Sequence, residues 1–150
     1  MIVHYFAYGS NMNPARVAER GLATHGHVGA VLADYNLLFD KVSRDHLDIG
    51  HANIAYAPGE RVEGLLYELA SPSEILKMDP FERAPINYGR EVVRVATATS
   101  ELWAWTYFAN DAVRQAGRRP SQEYLGHLLA GEAFLSEEYF ARLAETPVAD

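Results

Sequence analysis

The chain has 150 residues, 49% of them apolar and 22% charged, an ordinary balance for a soluble chain and enough length for one well-packed core. Its net charge is −7 and its 13 Lys and Arg residues are scattered, which argues against nucleic acid as a partner; with no cysteine it has no disulfide framework, no thiolate metal site and no cysteine nucleophile. No basic start followed by an apolar run opens the chain, and no segment approaches the roughly 18 uninterrupted apolar residues of a membrane span. The expectation is a single cytoplasmic domain with no membrane partner, a monomer or homodimer.

In chain order, residues 3–7 read as a strand, rich in aromatic and β-branched side chains. It breaks into Tyr8-Gly9-Ser10-Asn11, and Asn13-Pro14 then supplies a helix cap and a first helical residue with φ already set. His25 and His27 would share a face on a strand, but the nearby glycines suggest a turn, and no third metal ligand has suitable spacing. Residues 28–39 read as a strand bent near Asp34, and residues 41–50 as a loop. Residues 51–56 and 62–69 read as two strands separated by a turn at Pro58-Gly59-Glu60.

Ser71-Pro72-Ser73-Glu74 has the form of a capping box opening a short helix. Asp79, preceding Pro80, should turn the chain out of that helix near Met78. Strands follow at residues 90–97 and 102–108, a loop at 110–120, and helices at 121–129 and 136–144. Strands first and helices gathered late favour an α+β domain over an alternating parallel sheet.

The strand-to-helix loop is the first candidate site. Gly9 allows close backbone approach or positive φ, Ser10 and Asn11 add short polar arms, and the N–H groups at a helix start attract anions. Alone, this pattern also describes an ordinary capped turn.

Four blocks in order, Tyr5-Phe6-Ala7-Tyr8-Gly9-Ser10-Asn11, residues 50–69, Met78-Asp79-Pro80-Phe81-Glu82-Arg83 and residues 118–129, together resemble the γ-glutamylcyclotransferase family. The resemblance runs from Tyr5 to about Glu145 and implies a small mixed β-barrel flanked by helices. It implies that Tyr8, Gly9, Ser10 and Asn11 hold a γ-glutamyl group, that Glu82 is the acid-base catalyst, and that Tyr88 and Tyr124 help line the pocket. No cofactor or metal is implied. One departure stands out: the family glutamate is usually followed by glycine, and here Arg83 follows. Relatives that act on glutathione usually carry another residue after Tyr-Gly-Ser, so Asn11 argues against glutathione.

The implied reaction closes a γ-glutamyl group on itself, its α-amine attacking its own side-chain amide to give 5-oxoproline and a free amine or amino acid. Such a reaction needs a folded substrate, a proton carrier and a home for the oxyanion. A free glutamate is a poor base for an ammonium, so burial near Phe81 and Pro85 should raise the pKa of Glu82, with Asp79 adding like-charge pressure. Without the resemblance, Glu82-Arg83 reads as a solvated surface pair, and Tyr67, Tyr107 and Trp105 read as core. Competing readings are amide hydrolysis, a non-catalytic ligand-binding module, and, last, a serine hydrolase with Ser10 served by His4 or His51 but lacking a Gly-x-Ser-x-Gly elbow.

Overall fold

The computed structural model describes all residues from Met1 to Asp150. Five strands close into a barrel in the order β1 (His4–Ala7), β3 (Gly50–Leu69), β2 (Thr24–Val42), β4 (Tyr88–Ala96), β5 (Glu101–Ala109). Neighbours are antiparallel except at the seam, where Tyr5 on β1 runs parallel to Trp105 on β5. The expected α+β class and mixed barrel are therefore what the chain forms. No helix is long and apolar enough to cross a membrane.

Side-chain alternation divides the strands between two cores. Phe6, Ala30, Leu32, Ile54, Val62, Leu66, Val95 and Ala104, all from strands, pack together and fill the barrel. On β1 and β3 the alternate residues Ala7, Leu65, Tyr67 and Leu69 instead pack with Met12, Val17, Leu125, Leu128 and Leu143, joining the barrel wall to the helices. Phe6 is fully buried, and truncating such a side chain to alanine costs about 3–5 kcal/mol.

Strands β2 and β3 are longer than the sequence suggests. The expected turn at Pro58-Gly59-Glu60 is a bulge within the continuous β3, and opposite it β2 bends where expected. Asp34 takes φ +68 and its carboxylate accepts the N–H of Gly59, itself at φ +85. Asp and Gly tolerate the left-handed region, so the two strands kink together without separating. His25 and His27 lie on β2 and not in a turn; His25 is exposed, and His27 packs against Tyr67 and Phe134. A second bulge lies between Leu38 and Lys41, where Phe39 and Asp40 face the single residue Ala52.

Helix α1 (Pro14–Glu19) starts as expected, Asn13 Oδ1 accepting the N–H of Ala15 at 3.1 Å. The expected capping box at Ser71 does not form. Residues Pro72–Lys77 make a 3-10 turn, and Glu74 instead accepts from Ala23 N and Lys77 Nζ. Nor does the chain leave the helix at Met78. Met78 keeps helical angles, and Pro80, whose missing N–H has no helical partner at a first turn, sits inside the one-turn helix α2 (Asp79–Glu82). Helices α3 (Gln122–Leu129) and α4 (Glu137–Ala144) are capped by Ser121 and Ser136, whose hydroxyls accept from the N–H three residues on.

Candidate active site

The end of β1, the short turn after it, α2, and the starts of β4 and α3 meet at one rim of the barrel. There they enclose a narrow chamber lined by Tyr5, Tyr8, Gly9, Asn11, Glu82 and Tyr107, with Ser10, Tyr88 and Tyr124 on its wall. All seven residues expected from the sequence thus line one cavity.

The turn Ser10–Met12 is a 3-10 turn whose own ladder uses the N–H groups of Met12 and Asn13, donated to Gly9 O and Ser10 O. The N–H groups of Ser10 and Asn11 have no place in that ladder. Gly9 has φ −111, so positive φ is not why glycine stands here. Space is the reason: a Cβ at this position would lie 3.1 Å from Ala52 Cβ and 3.2 Å from the Tyr124 hydroxyl.

The tyrosines are fixed by backbone partners. Tyr8 donates its hydroxyl to Tyr107 O at 2.6 Å, and Tyr88 donates to Ala52 O at 2.8 Å. Tyr124 accepts the N–H of Ala52 at 3.0 Å while its ring stacks on His51. Burial, with Glu82 nearby, pushes Tyr8 well above the ordinary tyrosine range, so its hydroxyl stays a neutral donor.

Asn11 is a junction. Only 2% exposed, it donates from Nδ2 to Tyr5 Oη at 2.8 Å and lies 3.4 Å from Glu82 Oε1, while its Oδ1 accepts from Arg20 and its carbonyl from Tyr67. Its side chain is thus committed to the protein and orients Glu82. Burial pushes the Glu82 carboxyl up to about 7. Arg20, Arg16 and Lys41 pull it down, and Asp79 pushes it up as the last contributor. Asp79 itself is held by Arg90, through bonds of 2.9 and 3.1 Å, and by the Tyr107 hydroxyl at 2.6 Å.

Outward of Glu82 the chamber widens into a mouth that shares Ser10, Glu82, Tyr88 and Tyr124 with it. Arg16, Arg20, Lys41, Arg44 and Arg83 line this mouth, against Asp45 and Glu82 as its acids. His51 also lines it, and burial, with Lys41 and Arg16, pushes its pKa down to about 4. Ser10 makes no hydrogen bond to a histidine, and His4 lines a different groove, so no serine–histidine pair forms.

Residues 5–126 match the model of the gamma-glutamyl cyclotransferase, AIG2-like family. The chain belongs to this family. A solved uncharacterized human protein is 27% identical over 99% of this chain and 89% of its own, with a TM-score of 0.85. A structure described as a gamma-glutamyl cyclotransferase is 25% identical over the same shares, also at 0.85. A yeast gamma-glutamyl cyclotransferase specific to glutathione shares the fold, at 14% identity and a TM-score of 0.66, covering 95% of this chain and 94% of its own. Comparison with curated protein sequences finds no match.

The departure from the gamma-glutamyl cyclotransferase pattern at Arg83 has a backbone explanation. Arg83 ends α2 at φ +51, ψ +44, the left-handed conformation that glycine adopts without strain. Its side chain is exposed, and the cations that act most on Glu82 are Arg20, Arg16 and Lys41.

Tyr5, Tyr107, Arg16, Arg20 and Lys41 also line the site, beyond the seven residues expected from the sequence. Tyr5 and Tyr107 are core residues, as aromatic strand positions suggest, and they also reach the chamber floor. Strand alternation offered a signal for them, since each faces across the seam toward the other, ring centroids 6.0 Å apart.

Proposed function

We propose that this chain is a γ-glutamyl cyclotransferase that uses Glu82 to carry the proton. The observation that supports this most directly is the placement of the Glu82 carboxyl beside Asn11, in the same narrow chamber as the turn whose Ser10 and Asn11 N–H groups stand outside its ladder. A γ-glutamyl head in that chamber is folded by the walls into a near-attack shape. Glu82 takes one proton from the α-ammonium, the freed amine forms a bond to the side-chain carbonyl carbon, and the oxygen becomes an oxyanion. The turn's N–H groups stabilise negative charge there or on the α-carboxylate. As the oxyanion collapses, Glu82 returns its proton to the leaving nitrogen, the bond to that nitrogen breaks, and the second proton of the attacking nitrogen passes through Glu82 to the released amine, so the lactam nitrogen keeps one hydrogen and the amine departs as an ammonium. A carboxyl with a pKa near 7 suits both halves of this transfer, being neither too weak a base nor too weak an acid.

The test is to incubate the pure protein with a panel of γ-glutamyl amino acids and amines and to identify products by mass spectrometry. The expected product is 5-oxoproline with the free amine. Glutamate in its place would make the protein a hydrolase, and saturable binding without product a ligand-binding module.

A further inference from the structure

Two features of the mouth are not used by the proton transfer. Lys41 is only 6% exposed, yet its ammonium forms no ion pair and no hydrogen bond, and lies 6.0 Å from the centroid of the Tyr88 ring. Arg16 donates from Nη1 toward His127 Nε2 at 3.1 Å, but its Nε is buried without an acceptor. Buried cationic groups without partners are costly, and a protein normally pairs them. Lys41 lies just past the bulge at Phe39 and Asp40, and an extra residue in a strand resets which face the following side chains take. The strand geometry therefore delivers an unpaired ammonium to the mouth.

Glu82 lines both chamber and mouth, so it marks where the scissile bond lies. With the γ-glutamyl head in the chamber, whatever is released extends past Glu82 into the mouth. There it meets Lys41, Arg16 and Arg44, with Asp45 the one acid besides Glu82. On a chain of net charge −7 this concentration of positive charge is local.

Resting on the cyclotransferase reading, we infer that the mouth is a binding site for an anionic leaving group: an amino acid or short peptide whose free carboxylate pairs with Lys41, flanked by Arg16 and Arg44, and not a neutral or cationic amine. Burial holds the Lys41 ammonium below the ordinary lysine range, Glu82 pulls it up and Arg44 holds it down. An incoming carboxylate relieves that penalty and forms a charge-assisted hydrogen bond.

Two ligands that differ only at the carboxylate test this: γ-glutamyl-alanine and γ-glutamyl-alaninamide. Affinity is measured by titration calorimetry on Glu82→Gln, and turnover on the wild type as 5-oxoproline released. The acid is expected to bind at least about tenfold more tightly than the amide, the worth of one hydrogen bond to a charged group. Lys41→Met should bring that ratio close to one and Lys41→Arg should restore it. Arg44→Ala, at an exposed position, should narrow the ratio and decides the matter if Lys41→Met does not fold. Equal affinity for acid and amide in the parent protein, or a ratio untouched by both variants, overturns the inference. If 5-oxoproline forms equally well from both ligands, the cyclotransferase reading stands and this inference falls. Acid-selective binding without 5-oxoproline does the reverse, and no binding of either ligand overturns both.

Discussion

In the inner chamber the hydroxyls of Tyr8, Tyr88 and Tyr124 all have backbone partners, and Asn11 spends its side chain on Tyr5, Glu82 and Arg20. In the mouth, Lys41 and Arg83 have no ion-pair partner. The chamber is fixed by bonds the protein makes with itself, so its shape exists before any ligand arrives. The mouth holds charge in reserve, and a ligand completes it. Changes in the chamber should therefore act on chemistry and fit, and changes in the mouth on charge selection.

The largest effect should come from Glu82→Gln. It keeps the shape and removes the proton carrier, so kcat should fall at least about 10²-fold, checked by 5-oxoproline formation in a folded variant. The same variant tests the raised pKa by stability. A carboxyl whose folded pKa lies near 7, above its unfolded value, stabilises the fold below the unfolded pKa and loses that contribution as pH rises through about 7. Thermal melts should show Glu82→Gln gaining on the wild type between acidic pH and pH 8.

Gly9→Val should come next. The added side chain meets Ala52 and the Tyr124 hydroxyl, so affinity for a γ-glutamyl ligand should drop about tenfold or more in calorimetry, as overpacking displaces Tyr124 from Ala52. Unchanged affinity would make the loop an ordinary turn.

A smaller effect probes the border between the two regions. The acid limb of kcat/KM for the free enzyme should lie near pH 7, and it should vanish with Glu82. Arg20, which bonds Asn11 and is the foremost cation holding the Glu82 carboxyl down, sets its position. Arg20→Met should move the limb upward. A limb that stays in place would assign the ionisation to another group.

The smallest expected change is Arg83→Gly. Because Arg83 occupies the left-handed region, points to solvent and is not among the foremost charges on Glu82, glycine should stabilise the fold by up to about 1 kcal/mol and leave the acid limb where it is. An upward shift of the limb would show that the guanidinium reaches Glu82 in solution.

What the sequence could reveal followed the range over which each interaction acts. The α+β class, the β1 strand, the bend at Asp34 and the Asn13 cap depend on near neighbours and were legible, whereas the closed barrel, sealed between Tyr5 and Trp105, was implied only by the family resemblance. At Pro58-Gly59-Glu60 residue type gives the kink but not the partner strand that carries on through it, so a turn is expected where a bulge forms. Ser71 and Glu74 had the spacing of a capping box, yet Glu74 was taken by Ala23 and Lys77, contacts that only the tertiary fold supplies. Lys41 was least legible. Nothing near it in sequence marks a buried cation, and its position depends on a bulge whose register is set by the facing strand.

The hold that Tyr88 and Tyr124 keep on the Ala52 peptide has a consequence for how the chain acquires its site. Tyr124 reaches back 72 residues to Ala52 and Tyr88 reaches back 36, while Tyr8 reaches forward 99 to Tyr107. Contacts of such separation close large loops and are made slowly compared with helices and hairpins. The cavity is thus assembled from segments that the ribosome delivers far apart in time. Until α3 has emerged and docked, the peptide at Ala52 lacks one of its two anchors, so a nascent or truncated chain with most of its strands in place is still without a finished pocket.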